Sequence, residues 1–112
     1  MTIANTVTYR ELDASEKLNS IINRRLHKLE RYSGDIQHSR VVLDSPHNHK
    51  HKGKKFRATV EIDIRGNPIT ISQNDTSIHV AVRDVFNIAE RKLKSHSQKL
   101  KTKRQRPRNE TE

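Results

Sequence analysis

The chain has no cysteine and no tryptophan, and only three glycines and three prolines among 112 residues. Without cysteine there can be no disulfide framework, no thiolate nucleophile and no cysteine-ligated zinc or iron–sulfur centre. Two tyrosines and two phenylalanines are its only aromatics, so a core drawn from a 30% hydrophobic composition must be small and mostly aliphatic, enough for one domain. No apolar run is long enough to cross a bilayer, and the N-terminal MTIANTVTYRELD lacks the basic start and apolar stretch of a secretory signal. A soluble, cytoplasmic chain with no membrane partner is expected.

Carboxylates are scarce as well. Thirteen Asp and Glu face 23 Lys and Arg, a formal net charge of +10, and fourteen of those cations lie in two acid-free windows, residues 45–60 and 91–109. Clustered cations bind phosphates by releasing condensed counterions, and a chain this basic repels itself unless something neutralises it. A polyanion is the expected partner.

What is present is periodic. Ile3 to Tyr9 is rich in Thr and Val and reads as an edge strand. Asp13 or Ser15 can cap a helix, Asp13 with Glu16 as a capping box, and Leu18, Ile21, Ile22, Leu26, Leu29 and Tyr32 then recur at helical spacing up to a Ser33-Gly34 stop. Lys17, Arg24, Lys28 and Arg31 stack as one stripe beside that apolar face. Arg25 falls inside the apolar sector and is expected to lay its stem along the core edge with its guanidinium outward. Ser39 to Asp44 reads as a short strand. Phe56, Ala58, Val60, Ile62 and Ile64 alternate with Arg57, Thr59, Glu61, Asp63 and Arg65, the period of a strand with one buried and one wet face, and Gly66-Asn67 turns the chain into a partner through Ile69 and Ile71. A long second helix starts near Thr76 or Ser77, with Ile78, Val82, Val85, Phe86, Ala89, Leu93 and Leu100 on one face. The expected fold is α+β in the order βαβββα, a two-layer sandwich with a small four-stranded sheet and both helices packed on one face. Residues 1–101 form the domain and 102–112, without an apolar residue, a basic disordered tail.

Catalytic and metal chemistry find little support. His47, His49 and His51 alternate in a basic loop, yet no carboxylate or thiolate accompanies them and Lys50 and Lys52 would repel a cation, so no metal and no cofactor is expected. Protonation of the histidines below about pH 6.5 adds positive charge instead. His79, between Ile78 and Val80, reads as a partly buried structural residue. Glu61 and Asp63 are spaced as an acid and base pair would be, but ion pairing with Arg57 and Arg65 is the simpler account. With no Gly-rich phosphate loop or nucleophile elbow, neither an enzyme nor a small-molecule substrate is expected. A single-strand binder that stacks bases on its sheet is excluded by the polar outer face, which has no aromatic to offer.

The stretch VTYRELDASEKLNSIINRRLHKLERYSGDI, residues 7–36, resembles the start of the ribosome hibernation-promoting factor and ribosome-associated translation inhibitor family. The resemblance is carried by Arg10, Ser15, Leu18, Ile22, Arg25, Leu26, Lys28, Leu29 and Arg31, and continues through RVVLD, the alternating hairpin strand and the basic RKLKSH at Arg91 to His96. It covers roughly residues 3–100 and is to the short form. It implies a non-enzymatic protein, monomeric when free, that binds the small ribosomal subunit and its rRNA near the decoding centre, blocks messenger and transfer RNA sites, and inhibits translation in idle or stressed cells. The matched positions Arg25, Lys28, Arg31, Arg91, Lys92 and Lys94 inherit rRNA contact, and the charge pattern adds Arg24, Lys52, Lys54, Lys55 and Arg83. The competing expectation is a general double-stranded-RNA-binding module, which also lays helices on one face of a small sheet and reads phosphates by shape. A protein-interaction module is the third, and would tolerate charge reversal at Lys28 and Arg31.

Overall fold

The computed structural model describes residues 4–45 and 55–105, with the side chains of 6–45 and 55–96. Six elements follow in the order β1 (Ala4–Arg10), α1 (Glu16–Glu30), β2 (Ile36–Asp44), β3 (Phe56–Ile64), β4 (Asn67–Asp75) and α2 (Ile78–Gln105). They form the expected α+β arrangement, with one four-stranded sheet in the spatial order β1-β2-β3-β4. β1 runs parallel to β2 across the α1 connection, and the other two pairs are antiparallel. Register decides which residues meet. Val41, Val60 and Ile71 share one level of the inner face, Leu43 and Ala58 the next, and these are buried against α1 and α2.

Each helix is fastened at its start. Ser15, in extended conformation, accepts the Leu18 N–H at 3.1 Å and caps α1, so Asp13 is not the cap. The Tyr9 hydroxyl, 2.8 Å from Asn19 Oδ1 and 3.1 Å from the Ser15 carbonyl, ties that cap to the end of β1. Leu18, Ile22, Leu26 and Leu29 are buried along one stripe, and full burial of a side chain such as Ile22 is worth about 1.5–3 kcal/mol. Ser77 accepts the Val80 N–H at 3.4 Å, and Phe86, Ala89 and Leu93 have no exposed surface. α2 continues to Gln105, four residues past the expected domain boundary. Lys, Arg and Gln are good helix formers without an apolar face to bury. The last expected tail residues, and His47, His49 and His51, lie outside the described residues.

Three local readings are corrected. β2 starts at Ile36, not Ser39, because a bulge at Gln37 breaks the period of two: Ile36 pairs with Ile64 and His38 with Asp63, so Ile36 and Ser39 are both buried three apart. The hairpin turns on Arg65-Gly66, since Ile64 pairs with Asn67; both turn residues have positive φ (53° and 85°), as a type I′ turn requires. α1 ends by tightening, with Arg31 N–H donating to the Lys28 carbonyl at 3.1 Å and Tyr32 N–H to that of Leu29 at 3.0 Å, and Gly34 takes no left-handed conformation.

Candidate nucleic-acid interface

The two helices lie side by side and run in the same direction. Arg25 of α1 reaches Asn87 and Glu90 of α2, Lys28 reaches Glu90, and the Lys94 ammonium sits 5.5 Å from the centre of the Tyr32 ring. The pairs advance together along both helices. On α1 the stripe of Lys17, Arg24, Lys28 and Arg31 flanks this seam on its solvent side; on α2 Arg83, Asn87, Glu90 and Lys94 follow one another at helical spacing along it, with Arg91 one step outward.

Exposure and partners separate these cations. Arg24, Arg31 and Arg91 are exposed, and their side chains have no ion pair or hydrogen bond among the described residues. Lys94 is exposed above Tyr32. Arg83 pairs with its neighbour Asp84 at 3.1 Å while remaining exposed. Lys28 is half exposed and only loosely engaged, 3.7 Å from Glu90. Lys92 is exposed too, but two residues from Glu90 is about 200° of helix, which puts it on the side of α2 away from α1. Lys55 is exposed at the start of β3, on a different part of the surface, and Lys52 and Lys54 lie outside the described residues.

Arg25 departs from its expected place. Its guanidinium does not turn outward; it crosses to α2, donating to Asn87 Oδ1 at 2.9 Å and Glu90 Oε2 at 3.0 Å, and stands 5.5 Å from the centre of the Phe86 ring. Its side chain is 21% exposed, that of Glu90 14%. The residue ties one helix to the other and has little left to offer a phosphate. Nothing in the local sequence announces this, because the partners lie 62 and 65 positions away.

The opposite face of the sheet carries basic residues as well, and three of them meet an acid across the strands. Arg40 pairs with Glu61 at 2.7 Å, Arg57 with Asp44 at 3.0 Å, and His38 lies 3.6 Å from Asp63. Two hydrogen bonds from Arg57 to the Asp44 carboxylate, and then the charge itself, hold the Arg57 proton more firmly than in a free arginine. The expected partners of Glu61 and Asp63, Arg57 and Arg65, are thus corrected: register sets Glu61 opposite Arg40 and Asp63 opposite His38, while Arg65 reaches Asp35 at 3.2 Å. His79 is corrected too. It is exposed, because sequence neighbours on a helix do not share a face. Among the described residues no cluster of His, Asp and Glu is arranged to hold a metal, and no helix is long and apolar enough to cross a membrane. Anion-binding capacity is therefore concentrated on the helix layer, where cations outnumber acids and several stand unpaired.

The fold is shared with known structures. It is similar to the N-terminal domain of Protein Y from Thermus thermophilus, at 24% identity and a TM-score of 0.67, covering 86% of this chain and 99% of that one. It is also similar to a ribosomal subunit interface protein from Coxiella burnetii, at 14% identity and a TM-score of 0.71 with the same coverage. No curated protein sequence matches the chain. A family model described as sigma 54 modulation protein / S30EA ribosomal protein matches residues 6–101. The chain belongs to that family, the ribosome hibernation family that its sequence resembles.

Proposed function

We propose that this protein is a hibernation factor that binds the small ribosomal subunit near the decoding centre, covers messenger and transfer RNA sites, and inhibits translation in idle or stressed cells. Membership of a ribosome-associated family supports the reading at its coarse level. The observation that carries the finer one is the distribution of unpaired charge: Arg24 and Arg31 on α1 and Arg91 and Lys94 on α2 point to solvent from one helix layer, while on the sheet face Arg40 and Arg57 are each spent on an acid. The α1 stripe from Lys17 to Arg31 spans about 21 Å at 1.5 Å per residue, long enough to follow several backbone phosphates. Binding of this kind needs no catalytic group; Glu61 is already committed to Arg40, and Asp63 accepts the Gly66 N–H at 2.7 Å.

Sedimentation through a sucrose gradient with ribosomes, at near-physiological salt and with excess unrelated RNA duplex, tests the reading. Retention on the small subunit or the whole ribosome despite competitor is expected. Transfer to the duplex would make the protein a general double-stranded-RNA binder, and its fold would then carry a different function.

A further inference from the structure

One carboxylate stands in the middle of the basic layer. Glu90 accepts from Arg25 at 3.0 Å and lies 3.7 Å from Lys28, with only 14% of its side chain exposed. A helix joint between apolar faces does not require a charge here, and a buried ion pair is often no more stabilising than apolar residues of the same volume. Its electrostatic effect on a ligand is definite, because a carboxylate repels any phosphate brought to the seam, through a medium less screening than bulk water. The geometry points to Glu90 as a specificity-determining residue: it neutralises Arg25 and holds Lys28 loosely at 3.7 Å, leaving a strip of reduced positive charge between the cations of α1 and those of α2, so that the layer favours a folded RNA whose phosphates flank the seam over one whose backbone crosses it.

The inference rests on the RNA-binding reading, and it assigns the discrimination to a residue that itself avoids RNA. Substituting Glu90→Gln tests it with little disturbance. The amide oxygen can still accept from Arg25, and Asn87 Oδ1 holds the same guanidinium nitrogen at 2.9 Å, so the joint keeps its hydrogen bonds while losing its negative charge. Lys28, already half exposed, is then released to take a phosphate.

Binding of wild type and E90Q to ribosomes and to an unrelated RNA duplex is measured as a function of salt. E90Q is expected to bind duplex about fivefold more tightly at 0.15 M salt, with its log–log salt slope steeper by about 0.9, the signature of one added phosphate contact on a duplex. Ribosome affinity changes by less than twofold, so selectivity falls. In a Lys28→Met background the same E90Q change leaves the slope unaltered, because the freed cation is gone. A purely structural Glu90 would instead weaken both ligands equally, with an unchanged slope and a lower melting temperature, and that result overturns the inference. If wild type fails to sediment with ribosomes, the proposed function falls, and the duplex slopes of E90Q and K28M/E90Q still decide the role of Glu90.

Discussion

Arg24 and Arg25 are adjacent and chemically identical, yet the structure gives them opposite work, and replacing each by Gln separates the two. Arg24 is exposed with no partner among the described residues, so R24Q leaves stability within about 0.5 kcal/mol, as surface changes away from special features do. Arg25 is 21% exposed and joins Asn87 and Glu90. R25Q removes a charge-assisted bond and a cation over Phe86, worth together about 2–3 kcal/mol. It also relieves the Arg25 Nε, which is buried without an acceptor, and this returns about 1 kcal/mol. The net expectation is a loss of about 1.5 kcal/mol, or roughly 6–12 °C in melting temperature at 4–8 °C per kcal/mol for a domain of this size. Binding reports the reverse order. R24Q flattens the log–log salt dependence of ribosome binding by up to about 0.9, and R25Q leaves the slope of the folded fraction unchanged. Thermal melts by circular dichroism and titrations between 50 and 200 mM salt read both quantities. Equal melting temperatures for the two variants, or a slope change in R25Q and none in R24Q, would refute the assignment of Arg25 to the joint and Arg24 to the ligand.

The two glycines of α1's exit and the hairpin should also part company: Gly66→Ala, forcing a Cβ onto a positive φ of 85°, is expected to destabilise by about 1 kcal/mol, while Gly34→Ala, where a Cβ meets nothing within 4 Å, is expected to be neutral or slightly stabilising in denaturant unfolding. Deleting residues 102–112 removes Lys103, Arg104, Arg106 and Arg108 and is expected to weaken ribosome binding and flatten its salt slope; an unaltered slope would show these residues to be bystanders.

Local periodicity made the element types and order legible, because Leu18, Ile22, Leu26 and Leu29 obey the helix repeat and Ala58, Val60, Ile62 and Ile64 the strand repeat without interruption. Boundaries failed where one residue broke the count. Gln37 bulges out and hides the first residues of β2, and Arg65 adopts a backbone conformation that its residue type does not advertise, so the turn sits one position earlier than Gly66-Asn67 suggests. The charge stripe of α1 could be placed on a surface from spacing alone. Which of its neighbours are spent inside the fold could not. Arg25 reads as one more cation until α2 is laid beside it, and the sheet-face acids find Arg40 and His38 only through the strand register. Long-range pairing leaves no trace in a window of a few residues.

The contact between Arg25 and Glu90 joins the first third of the chain to the last. During synthesis β1 and α1 emerge first, carrying their cations without the carboxylate that later tempers them, and the seam exists only once α2 has left the exit tunnel and docked. The surface is thus a property of the finished chain. A single cut between Asp44 and Phe56 would place the two cation rows on separate fragments held together by the β2–β3 pairing and the shared core, so that separating them would remove no cation and still leave neither piece with the paired face.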